Sequence, residues 1–190
     1  MDSNNLPRCP WCLSDPLLMA YHDNEWGKPL HNEQQHFEFL TLEAMQAGLS
    51  WLIVLKKREI FREALDNFEV PKVAGYGEID IERVLTVPGI IRNRKKIEAT
   101  IHNAGLFLKI QAEHGSFDNY IWGFVDFKPL AHSFQSVTEV PVTTELSDQV
   151  SKDLKKRGFK FLGSTTVYAH LQAIGVVNDH LVSCFRYNQK

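Results

Sequence analysis

Apolar residues recur along this chain at helical rather than strand spacing. Phe37, Leu40, Ala44 and Ala47 fall on one helical face. Phe39, Leu42 and Met45 widen that face until the segment is apolar around most of its girth, which predicts a buried central helix. A second helix is predicted from about Trp51 to Leu65, and Ile97, Ile101, Ala104 and Leu108 mark a third. Residues from about Ser147 to Arg157 and from Thr165 to Ile174 give two more, separated by Gly158 and Gly163. No segment alternates cleanly in the manner of a strand. The nearest, Val137 to Thr143, is interrupted by Pro141, so residues 128–146 read as a long irregular connection. The expected fold class is all-α, assembled from several short helices.

Composition narrows the setting. A length of 190 residues suits a single domain spanning 1–190, with room for two helical lobes. With 44% hydrophobic and 23% charged residues the chain reads as globular. It has no apolar run long enough to cross a membrane and no basic-then-apolar leader, so no membrane partner and a cytoplasmic location are expected. Three cysteines, Cys9, Cys12 and Cys184, favour metal ligation or burial over a disulfide framework.

The net charge of −2 taken alone argues against a nucleic-acid partner, but its distribution leaves local patches that can bind phosphates. Basic residues gather at Lys56-Lys57-Arg58, at Arg92 to Lys96, and at Lys155-Lys156-Arg157 with Lys152 and Lys160. Such runs are either solvated helix faces or phosphate contacts. The middle run follows Ile81-x-x-Val84-Leu85 and then Thr86-Val87-Pro88-Gly89-Ile90-Ile91, which predicts a helix, a tight reversal, and a new helix opening near Arg92. The free amides of such a helix start bind a phosphate, and Arg92, Lys95 and Lys96 add charge. The arrangement resembles a helix-hairpin-helix DNA-binding element, with Ile91 where a second glycine is common.

Two further constellations carry chemistry. His180-x3-Cys184 sets two metal ligands one helical turn apart, and Cys9, Cys12 and His22 lie near the other end. Spacing alone favours Cys9, Cys12, His180 and Cys184; the other set is Cys9, His22, His180 and Cys184. Either would join the two end segments through one metal ion. Glu43 lies in the most apolar helix, one turn after Phe39 and Leu40, where an ionisable group needs partners or a function. Around it in sequence stand Tyr21-His22-Asp23-Asn24-Glu25-Trp26-Gly27 and Gln46-Ala47-Gly48-Leu49-Ser50-Trp51.

These last blocks, with Cys9-x-Trp11, Leu55 to Arg58, Lys155 to Phe161 and Asn178-Asp179-His180 before Cys184, resemble the 3-methyladenine DNA glycosylase I family over residues 8–187. The resemblance implies a divergent helix-hairpin-helix glycosylase fold, in a monomer. It implies excision of 3-methyladenine, and more weakly 3-methylguanine, from double-stranded DNA, with the free base as product. It implies a structural Zn2+ on Cys9, His22, His180 and Cys184, with Cys12 as a possible competing thiol. The family's base pocket maps onto Trp11, Tyr21, Trp26, Glu43 and Trp51, with Gln46 beside them, and Leu18 stands where the family commonly has tyrosine. Leu49, next to Gly48, matches its intercalating segment, and Pro88, Gly89, Ile90, Arg92 and Lys95 its DNA-binding hairpin. Glu43 is expected to bind and orient the base. The aspartate common after the hairpin of related glycosylases is absent, with Glu113 the only acidic candidate between Ala99 and Glu113. A non-catalytic DNA binder and a zinc hydrolase are the competing readings.

Overall fold

The computed structural model describes residues 6–187 and is mostly helical. A 3-10 turn at Pro10–Cys12 leads into α1 (Pro16–Asn24), which opens on Asp15, whose carboxylate accepts the amide of Leu17. The central helix α2 (Glu33–Gln46) is capped by Asn32, and every residue from His36 to Met45 is buried. This is the helix that the apolar spacing predicts, with one correction. It ends at Gln46, so Ala47 leaves the helical face and is exposed.

The predicted helix from Trp51 to Leu65 is in fact two, α3 (Trp51–Lys56) and α4 (Arg58–Ala64), broken at Lys57. The break lets Arg58 turn inward to meet Glu25 at 2.6 Å and Glu38 at 2.5 Å. Short helices α5 (Val70–Ala74) and α6 (Glu78–Thr86) follow, then the long α7 (Arg94–His114) and α8 (Phe117–Gly123). The helix after the hairpin therefore begins at Arg94, capped by Asn93, and not at Arg92.

Helices α9 (Glu145–Arg157) and α10 (Ser164–Ala173) match the predicted pair within two residues at each end. The chain between α8 and α9 is irregular as expected but not wholly so. Leu130–Ala131 (β1) pairs in parallel with Val177–Asn178 (β2). Two residues are too few for alternation to register in a sequence. One apolar core runs from Cys12 to Val177, and a small separate cluster surrounds Cys9, Leu181 and Cys184.

Candidate functional site

Four elements converge at the C-terminal end of α2. Trp11 comes from the first 3-10 turn, Tyr21 from α1, Trp26 from the loop after it, and Trp51 from the start of α3. With Glu43, Gln46, Ala169 and Gln172 they line a cavity of about 160 Å³. Trp11 packs edge to face against Trp26 at 5.1 Å, and Tyr21 is tilted against Trp51 at 5.3 Å. A second cavity of about 230 Å³ shares Glu43, Gln46 and Ala169 and extends the space toward Gly48, Leu49, Thr165 and Thr166. The Gly48-Leu49 loop is exposed at its rim. Leu18 is buried in the core beside Tyr21 and does not line the cavity.

Glu43 is the chemical anomaly of this wall. Its carboxylate has no hydrogen-bond partner and its Oε2 is sealed from solvent, as is the partnerless indole nitrogen of Trp51. Burial alone pushes the Glu43 carboxyl up to about 8, so at neutral pH it is mainly protonated. Burial, and then the charges of Glu43 and Glu25, also push the Tyr21 phenol well above its usual range. Every other buried acid of α2 is paired: Glu38, one turn earlier, holds both Arg58 and Arg62. An acid left unpaired among aromatic faces is a candidate site residue.

The metal constellation forms directly behind this wall. Cys9, His22, His180 and Cys184 are buried, and their ligand atoms lie within 4.8 Å of one another. Cys184 Sγ stands 3.4 Å from His22 Nε2 and 3.5 Å from His180 Nδ1, and Cys9 Sγ stands 3.8 Å from His180 Nδ1. Edges of roughly 3.3–3.8 Å are those of a tetrahedron with zinc-type bond lengths. The outer nitrogens are already committed: His22 Nδ1 donates to Asp23 at 2.8 Å and His180 Nε2 donates to the Trp26 carbonyl at 3.2 Å. Each ring thus turns its lone pair toward the sulfurs. Arg8 clamps Asp23, and backbone amides of Leu181 and Arg186 point at the two sulfurs. The Cys184 sulfur and burial push the Cys9 thiol up, while hydrogen bonds from Cys9, His180 and His22 hold Cys184 low. Gly27 makes the packing possible, since its φ is +73° and a Cβ there would lie 2.9 Å from His180 Nε2.

Spacing alone favoured Cys12 as a ligand, and the structure corrects this. The Cys12 thiol donates to the Cys9 carbonyl at 3.1 Å and takes no part in the group. No interval in the sequence marks His22 as its replacement; the family resemblance named it, and the fold of α1 against the far end of the chain brings it there.

The basic runs divide on inspection. Lys57 donates to the Gly89 carbonyl, and Lys56 pairs with Asp15. Arg94 pairs with Glu78 and Glu82, and Arg157 with Glu113 at 2.5 Å and Asp153 at 2.7 Å. That contact places Glu113 at the far end of α7, away from the cavity. Lys96, expected to add surface charge, is buried and donates to the carbonyls of Met45 at 2.8 Å and Ala47 at 2.7 Å, closing the C-terminus of α2. Ile90 also turns inward: its side chain is buried and its amide bonds Val87. Among the described residues the amides of Gly89, Ile91 and Arg92 have no partner, while Pro88, Gly89, Arg92 and Lys95 are exposed. Through Lys96 the start of α7 is tied to Ala47, in the loop that carries Gly48 and Leu49. Sequence reasoning missed Ala169 and Gln172. Their spacing of three puts both on one face of α10, but nothing in their chemistry singled them out.

The methyladenine glycosylase family matches residues 11–187. The chain is 47% identical over 182 residues to DNA-3-methyladenine glycosylase 1 of Escherichia coli (strain K12), covering 96% of this chain and 97% of that one. It is 45% identical over 177 residues to the DNA-3-methyladenine glycosylase of Haemophilus influenzae, covering 93% and 96%. In three dimensions it is similar to 3-methyladenine DNA glycosylase I from Staphylococcus aureus, with a TM-score of 0.93 at 40% identity over 96% of this chain and 97% of that one.

Proposed function

This chain belongs to the methyladenine glycosylase family, and from that membership we infer how its own residues remove 3-methyladenine from alkylated DNA. The activity is hydrolysis of the N-glycosidic bond in base-excision repair, with free base as product. The observation that carries the reading for this site is the buried, partnerless Glu43 carboxyl inside a cavity walled by Trp11, Tyr21, Trp26 and Trp51.

A base inside a duplex must leave the stack before a pocket can hold it. We assign the exposed Leu49, beside the φ +81° Gly48, to fill the gap, and the amides of Gly89, Ile91 and Arg92 with Arg92 and Lys95 to hold phosphate. Ile90 supports this turn from within. Methylation at N3 makes the adenine ring a cation, and each aromatic face that meets it contributes about 0.5–2 kcal/mol. Glu43 accepts from the base edge. A cation entering beside it lowers its pKa, so the carboxyl gives its proton to solvent and the carboxylate forms only when the charge it stabilises is present. Neutral adenine does not bring that charge, which is a basis for selectivity.

The damaged base leaves as a neutral molecule, so no strong acid is needed. No lysine lines the cavity among the described residues, which supports a monofunctional route without a Schiff base. Glu43 is the residue we place against the base, with Gln46 at the mouth. For the ligand group behind the wall, the donor set and its oriented histidines fit one structural Zn2+ on Cys9, His22, His180 and Cys184. Protein atoms supply four ligands and leave no open position for a hydrolase metal. Its place is to hold Trp26 and Trp11 through His180 and His22. The continuous core among the described residues supports a single domain, and we propose that it spans 1–190 as two helical lobes of a monomeric divergent helix-hairpin-helix fold. Among the described residues no helix is long and apolar enough to cross a membrane, and double-stranded DNA in the cytoplasm is the partner we propose.

The test is release of 3-methyladenine from methylated duplex DNA by the purified protein, followed by chromatography of the free bases. Appearance of 3-methyladenine in proportion to protein is the expected result. DNA bound without base release would make the chain a non-catalytic binder.

A further inference from the structure

Gln172 lies on α10 one turn after Ala169, and both line the aromatic cavity. Its backbone carbonyl accepts the amide of Gly27 at 3.0 Å, which fixes this turn of α10 against the loop carrying Trp26. Its side chain is fixed as well, since Nε2 donates to Asp179 Oδ2 at 2.7 Å. Asp179 is buried to 2% exposure and holds two further donors, His132 Nδ1 at 2.6 Å and the Tyr168 hydroxyl.

A carboxylate can only accept. Turning the carboxamide over would set its oxygen against that carboxylate, so one orientation is enforced, with nitrogen toward Asp179 and oxygen away. The oxygen has no hydrogen-bond partner among the described residues, yet it is accessible.

We infer that Gln172 is a specificity-determining residue of the base pocket, presenting its carboxamide oxygen to the extruded base, with Asp179 as its positioning residue. The inference rests on the proposed reading of the cavity. An oxygen held in one sense favours a purine edge that donates, such as a 6-amino group. It opposes a purine carrying oxygen at that place, where two acceptors would face each other. The chemical class it selects is therefore an N3-alkylated 6-aminopurine over an N3-alkylated 6-oxopurine. The aromatic walls do not make that distinction, because both alkylated purines are cations with two faces; Glu43 accepts from the base edge, and the Gln172 oxygen adds a second acceptor of fixed sense.

The experiment compares kcat/KM for release of 3-methyladenine and of 3-methylguanine from one preparation of methylated DNA. The proteins are the parent, Gln172→Met and Asp179→Asn. Methionine keeps the length of the side chain and removes the oxygen. Asparagine at 179 offers a donor as well as an acceptor and so frees the carboxamide to turn. With one hydrogen bond lost, the 3-methyladenine rate in Gln172→Met is expected to fall about fivefold to tenfold, with 3-methylguanine changed by less than about twofold. Asp179→Asn is expected to move the same ratio in the same direction while Gln172 is intact. Melting temperature and metal content verify that both variants are folded. Equal losses for the two bases would reduce Gln172 to a packing role and overturn the inference, as would an unchanged ratio in folded Gln172→Met. If the parent releases neither base, it is the reading of the cavity that fails instead.

Discussion

Replacing Glu43 with glutamine removes a group that the folded chain holds at a disadvantage. Its carboxyl is raised from an ordinary 4.5 to about 8 by burial. The sign follows from linkage. Below 4.5 both folded and unfolded chains hold the proton, and the residue costs nothing through ionisation. Between 4.5 and 8 only the unfolded chain releases it, so the parent loses stability as pH rises, by about 1.4 kcal/mol per pH unit. Glutamine has no such dependence. Between about pH 5.5 and about pH 7.5 the stability of Glu43→Gln relative to the parent should therefore grow by about 3 kcal/mol. The same substitution removes a charge-assisted hydrogen bond to the base, worth roughly 1.5–3 kcal/mol, and should lower excision by about tenfold to a hundredfold. The measurements are urea unfolding of both proteins at the two pH values and base release from methylated DNA. A stability difference that stays constant with pH would refute the burial argument. Unchanged release of 3-methyladenine would refute the role of Glu43.

Three further outcomes are expected. One zinc per chain should be found in the parent and in Cys12→Ser but not in Cys9→Ser; a closed loop of this length is worth about 4–5 kcal/mol by chain entropy, so its loss should lower Tm by about 10 °C or more, as a melting curve would record. Lys95→Ala should leave stability within about 0.5 kcal/mol and reduce the salt slope of DNA binding by about one, whereas Lys96→Ala strands the buried carbonyl of Met45 and frees that of Ala47 and should destabilise by about 1–3 kcal/mol, as denaturant titration and binding at several salt concentrations would separate. His170 is buried with both ring nitrogens partnerless, and burial, then the charge of His36, lowers it from 6.5 to about 3, so stability is complete above 6.5 and falls as pH drops below it; relative to its value at neutral pH, the parent should lose about 2 kcal/mol by pH 5 on this account, and His170→Leu should remove that loss from the unfolding profile.

The helices were legible in the sequence wherever one face carried the signal. The girdle of apolar residues from Phe37 to Met45 implied burial, and α2 is buried. Where a boundary depends on a distant partner, no local pattern records it. Lys57 ends α3 without proline or glycine, because Arg58 turns inward to Glu25 and Glu38. The basic runs misled for the same reason. Arg94 and Arg157 meet acids from other turns, and Lys96 is directed inward at backbone carbonyls, which no composition can reveal. The aromatic pocket and the ligand set came from the family resemblance, and the structure brings those residues together. Gln172 escaped notice because its significance lies in Asp179, seven residues on and in another element. An amide on a helix face has no chemistry of its own until a neighbour decides which end is presented.

The ligand cluster of Cys9, His22, His180 and Cys184 has a mechanical consequence. It joins position 9 to position 184, and with an ion bound the chain between them behaves as a ring. Traction on the segments outside that ring, as by an unfolding motor that threads a substrate from one end, meets the metal bonds before it meets any helix. The enzyme would then resist unravelling in proportion to its metal occupancy. Without the ion, traction from the N-terminal side would reach α1 first, and with it Tyr21 and then Trp26 of the wall.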